Sequence, residues 1–129
     1  MAFTKRLLAF PMIATILAAT ALAASPGEKV KQVDAKYTCF ITKKHFDKPQ
    51  NEVVVAGKKY YGCCEMCTKQ LADDPKSRVA IDPVNGKEVD KADAVIGIDK
   101  AGNVYFFENA DNLKKFRVPA SAPSAPTGQ

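Results

Sequence analysis

Three of the four cysteines fall within five residues, in Tyr60-Tyr61-Gly62-Cys63-Cys64-Glu65-Met66-Cys67. The residues that follow, from Thr68 to Asp74, read as helix until Pro75 ends it. If that helix begins near Cys63, then Cys63, Cys67 and Leu71 recur every four residues and share one face. Sulfurs in the first turn of a helix meet unpaired N–H groups and the positive end of the dipole, which favour thiolate over thiol. Thiolates ligate soft metal ions and attack disulfides, so the cluster offers those two chemistries. Cys39 joins only if the fold carries it to the same place. Two other soft or borderline donors lie near. Met66 is the one methionine beyond the leader and sits between cysteines, and its thioether suits Cu(I). His45 is the only histidine, and imidazole suits zinc and copper. Both are secondary candidates, because at helical spacing a methionine commonly packs and a lone histidine commonly caps or sits on the surface.

The elements that must position these groups lie between two segments of different composition. Residues 1–23 read as a secretory signal: Lys5 and Arg6, an apolar run from Leu7 to about Ala19, and the small-x-small pattern Ala21-Leu22-Ala23. The apolar run falls short of the roughly 20 residues a spanning helix needs, so no membrane attachment is expected after cleavage. Residues 24–35 are polar with a Pro-Gly pair and read as a flexible leader. Residues 119–129 form a Pro/Ala/Ser tail that cannot bury enough apolar surface to offset its ordering entropy, and it is expected to be disordered. The formal charge of +5 falls by two when Lys5 and Arg6 leave. That balance is too mild, and the lysines too dispersed, to argue for nucleic acid.

The core between these segments repeats internally. Cys39-Phe40-Ile41-Thr42-Lys43-Lys44 aligns with Asp82-Pro83-Val84-Asn85-Gly86-Lys87 at an offset of 43, and Gly57–Tyr61 aligns with Gly102–Phe106 at an offset of 45. Leu71 meets Phe116 at the same offset of 45. Each half reads as a loop, a β-hairpin and a helix, so the expected fold class is α+β, built from two tandem ββα units. The strands fall at Glu52–Val55 and Lys59–Gly62, then at Ala94–Ile98 and Val104–Phe107. The helices fall near Cys64–Asp73 and Ala110–Phe116. At the cysteine positions 39, 63 and 67, the second half carries Asp82, Glu108 and Asn112. One copy bears sulfur, and the other keeps the scaffold without it.

The cysteine-bearing half, residues 36–79, resembles the TRASH domain, a small treble-clef-like module with one cysteine on a first knuckle and a Cys-x3-Cys pair opening a helix. The cysteine-free half, residues 80–118, looks like the related YHS domain. The resemblance implies heavy-metal handling, in sensing, trafficking or resistance, with copper, mercury and zinc all represented. It implicates Cys39, Cys63 and Cys67 as ligands, with Cys64 as an additional thiol. Thr42 occupies the place where a four-cysteine zinc knuckle puts its second cysteine. Three sulfurs without an assured fourth suit Cu(I) best, with zinc or mercury as alternatives.

The export signal requires disulfides to be weighed as well, since four cysteines in a small exported chain usually form two bridges. A Cys63–Cys64 bridge would strain adjacent residues, and one from either to Cys67 would have to close within a helical turn. Cys39–Cys63 or Cys39–Cys67 is sterically easier. A thiol–disulfide redox protein using Cys63, Cys64 and Cys67 is the main rival, although Cys-x-x-Cys in a thioredoxin-like βαβ setting is absent. A disulfide- or zinc-stapled binding module is the third reading. There is no Ser/His/Asp set and no phosphate-binding glycine loop, so no catalytic residues are expected and the chain reads as a non-enzyme. The expectation is a periplasmic metal-binding protein whose partners are a metal ion and a metal exporter or other trafficking protein.

Overall fold

The computed structural model describes residues 27–120, a mixed α+β arrangement of small antiparallel sheets and two helices. Residues 1–23, expected to be a signal segment, and residues 121–129 of the expected tail lie outside the described residues. Along the chain come β1 (Lys31–Val33), β2 (Thr38–Cys39), β3 (Lys44–His45), β4 (Asn51–Val55), β5 (Lys58–Gly62) and α1 (Glu65–Asp73). They are followed by β6 (Val79–Ile81), β7 (Glu88–Asp90), β8 (Val95–Ile98), β9 (Val104–Phe107) and α2 (Ala110–Lys115). β2–β3, β4–β5 and β6–β7 are two-stranded hairpins, and β1-β8-β9 form a three-stranded sheet.

The hairpin expected over Val53–Tyr61 runs from Asn51↔Gly62 to Val55↔Lys58, closed by Ala56 and Gly57, both at positive φ (51° and 78°). That is the turn whose twist matches a right-handed hairpin. The hairpin expected over Val95–Phe106 pairs Val95 with Phe107 and Ile98 with Val104. Each of these hairpins leads into a helix. α1 buries Cys67 and Leu71, four residues apart, and keeps the rest of its surface wet. It ends at Asp74 before Pro75, and the Arg78 guanidinium donates to its terminal carbonyls on Leu71 (2.7 Å) and Ala72 (3.1 Å).

One apolar cluster joins residues of both halves: Phe40, Tyr60 and Leu71 from the first, Val89, Ile96, Val104 and Phe106 from the second. Phe40 is its pivot. The ring is fully buried and stands edge-on to Tyr60, Tyr61 and Phe106, with centroids 6.3, 5.8 and 5.5 Å away. Since Phe40 follows Cys39, burying this ring anchors the backbone that presents the thiol.

The segment expected as a flexible leader is ordered over its described part. Lys31–Val33 pairs with β8, Glu28 bridges to Val118, and Val30 packs with Phe107 and Leu113. The polar composition hid a strand whose partners lie more than sixty residues downstream, where the open edge of β8 needed a cover.

Candidate metal centre

Cys39 ends β2, at the base of the knuckle that turns through residues 40–43 and returns as β3. The Phe40 N–H donates to the Tyr61 carbonyl at 2.9 Å, which pins the knuckle to β5 two residues before Cys63. β5 then delivers Gly62 beside α1. A Cβ on Gly62 would lie 2.8 Å from the Cys67 Cβ and 3.0 Å from the Thr68 nitrogen, so only glycine lets strand and helix approach this closely. The outcome is convergence. The sulfurs of Cys39, Cys63 and Cys67 all lie within 4.8 Å of one another.

The route differs from the expected shared helix face. Cys64 is the N-cap, in extended conformation, and the first helical bond runs from the Thr68 N–H to the Cys64 carbonyl at 3.1 Å. Cys63 therefore precedes α1, and its sulfur reaches Cys67 from the strand end, at 3.8 Å. The donor set fits a thiophilic ion. Three sulfurs about 2.3 Å from one centre in trigonal array are about 4 Å apart, and this triad needs only small adjustments to match.

The three thiols are not equivalent. Cys39 is fully buried, and burial alone would raise its pKa. The Thr42 hydroxyl and the N–H groups of Thr42, Cys63 and Ile41 outweigh that effect and lower it to about 7. Burial pushes the Cys63 thiol up, reinforced by its hydrogen bond to Cys39. Burial also pushes Cys67 up, helped by its hydrogen bond with Cys64 and the charge on Cys39. The metal-free triad thus holds one ready thiolate and two thiols that share protons with it. All four cysteines are free, and none is bonded to another.

The other expected donors are disposed differently. Cys64 is exposed, its sulfur 3.2 Å from that of Cys67, yet it lies outside the mutually close triad. The N–H and thiol of Cys67 lower its pKa. Met66 neither packs nor reaches the triad: it is 80% exposed, because Cys67 takes the inward position on this turn of α1. His45 is directed elsewhere. Its Nδ1 lies 3.3 Å from the Thr38 hydroxyl, and its ring meets Tyr37 edge-on at 6.3 Å. In the β2–β3 register His45 pairs with Thr38, so Cys39 faces Lys44 instead. Neither residue belongs to the triad.

The second half carries a sulfur-free counterpart. Asp82, also fully buried, accepts hydrogen bonds from the N–H groups of Val84 (2.7 Å) and Glu108 (2.7 Å) and from the Asn112 amide (2.8 Å). Val84, Glu108 and Asn112 occupy the positions of Ile41, Cys63 and Cys67 in the offset alignment. Where the first half brings together three sulfurs, the second closes the same contacts with a carboxylate and an amide. Gly86, at φ 71°, likewise matches Lys43, at φ 53°.

One residue escaped the sequence reading. Lys91 is buried beside Phe40, which its place in a charged, turn-like stretch did not signal. Among the described residues no helix is long and apolar enough to cross a membrane. Comparison with family models, with curated proteins and with solved structures returned no match.

Proposed function

We propose that this chain is an exported heavy-metal-binding protein, resident in the periplasm, that carries a soft ion on the thiolates of Cys39, Cys63 and Cys67. Cu(I) is the preferred cargo, with zinc or mercury as alternatives. The ion passes to or from a metal exporter or other trafficking protein, in transport, sensing or resistance, without catalysis. The observation that carries the reading is the approach of three sulfurs to within 4.8 Å, drawn from a strand end, a strand–helix junction and a helix. Soft thiolates with no fourth protein donor in the triad favour low coordination over the closed tetrahedral shell of structural zinc. The resemblance to the TRASH and YHS modules points the same way, with treble-clef-like tandem ββα units and a second unit that serves as packing partner. The matched hydrogen bonds around Cys39 and Asp82 support the duplication.

Competition titration of the reduced mature protein against a Cu(I) chelator and a Zn(II) chelator tests this. Tight Cu(I) binding that exceeds Zn(II) binding is expected. Stoichiometric zinc without copper preference would replace the trafficking reading with a structural zinc module. The Cys64–Cys67 separation of 3.2 Å favours one rival, a thiol–disulfide redox protein. Absence of any metal binding, together with rapid formation of a Cys64–Cys67 disulfide, would establish that rival.

A further inference from the structure

Lys91 is 6% exposed, and its ammonium donates to two neutral acceptors, the carbonyls of Phe40 (2.9 Å) and Ser77 (2.7 Å). It also lies 5.5 Å from the centre of the Phe106 ring. No carboxylate pairs with it among the described salt bridges. A buried ammonium held only by dipoles is unfavourable unless an anion lies close. The charges that act on it are Lys43, which repels, and Cys39, which attracts. The Phe40 carbonyl that it grips belongs to the residue after Cys39.

We infer that Lys91 is the built-in counter-charge of the thiolate triad, a positioning residue that touches no metal but stabilises the anionic, loaded site from its buried side. The inference rests on the metal-binding reading above and adds a selectivity to it. Three thiolates around Cu(I) carry a net charge of minus two, and around Zn(II) minus one. Cys39 and Cys67 present part of this charge to the buried interior, while Cys63 is exposed. The N–H groups around Cys39 supply dipoles, but Lys91 supplies a full positive charge. The more negative complex gains more from it. Lys91 therefore favours a monovalent ion over a divalent one, through charge alone.

The test compares wild type with Lys91→Gln and Lys91→Arg by competition titration with Cu(I) and with Zn(II), after circular dichroism has verified folding. The metal-free triad already carries the Cys39 thiolate, so loading adds one negative charge with Cu(I) and none with Zn(II). With about tenfold in affinity per unit of negative charge, the scale for unit charges across a partly hydrated interior, Lys91→Gln weakens Cu(I) about tenfold and leaves Zn(II) nearly unchanged. Lys91→Arg restores most of the Cu(I) affinity. Equal losses for the two ions, or none, would overturn the inference while leaving metal binding intact. If wild type binds neither ion, the metal reading falls first and this one with it. Should Lys91→Gln not fold, wild type alone decides the matter through the lysine ¹³Cε resonance. By reciprocity, Cu(I) loading raises the deprotonation midpoint of Lys91 from its metal-free value of about 8. An unchanged midpoint would refute the coupling.

Discussion

Asp82→Asn examines the sulfur-free clasp with the smallest change of shape. In the native protein Oδ2 receives the Glu108 N–H and the Asn112 amide, and Oδ1 receives the Val84 N–H. An asparagine has one oxygen, so whichever way it turns, its own amide faces at least one buried donor. A hydrogen bond to a charged acceptor contributes about 1.5–3 kcal/mol, so one lost bond and two weakened ones destabilise by about 3 kcal/mol. The assay is urea unfolding of the reduced, metal-free protein at neutral pH, followed by far-ultraviolet circular dichroism. A loss below about 1 kcal/mol would refute the clasp as a stabilising element. Titration adds a second readout. Burial would raise the Asp82 pKa, but the Asn112 amide and the N–H groups of Glu108, Val84 and Asn85 prevail and hold it below the ordinary aspartate range. Since the folded value is the lower one, the contribution is complete above the unfolded pKa of about 3.9 and is lost as pH falls through the folded value. Asp90 and Asp99 are depressed as well, so Asp82→Asn should remove part of the acid sensitivity rather than all of it.

Gly62→Ala sets a methyl 2.8 Å from the Cys67 Cβ; about 2 kcal/mol of destabilisation is expected together with weaker metal binding, and unchanged binding would show that the strand–helix approach does not set the triad. Lys43→Gly relieves a non-glycine residue at φ 53°, where the second half already has Gly86, and should stabilise by about 0.5–1 kcal/mol in thermal melts. Cys64→Ser should retain metal and Cys67→Ser should lose it, as read by metal content after gel filtration; the reverse would move Cys64 into the ligand set. Loading should release about two protons near pH 8, from Cys63 and Cys67, because Cys39 is mostly ionised there already. Calorimetry in buffers of different ionisation enthalpy measures that number, and release of none would contradict thiolate ligation.

Local pattern alone marked out much of this protein. Alternation and turn residues specified the hairpins at 51–62 and 95–107, since a register with one buried face tolerates no one-residue slip. Pro75 placed the end of α1, and the offset alignment paired Cys39 with Asp82 before any contact was known. The four thiols as a group were legible from their type and spacing. What the sequence could not decide depended on contacts between distant residues. β1 is a strand because the edge of β8 lies open beside it, far along the chain. The side-chain directions of His45 and Met66 depend on the β2–β3 register and on which flank of α1 meets the core, so two plausible donors dropped out of the triad. α1 starts after Cys64 rather than at Cys63, because Gly62 lets β5 run straight into contact with Cys67. Lys91 reads as one lysine among many, and only packing against Phe40 and Phe106 makes it a buried charge. The chain's local chemistry named the sulfurs, and tertiary packing decided which three meet and which charge lies behind them.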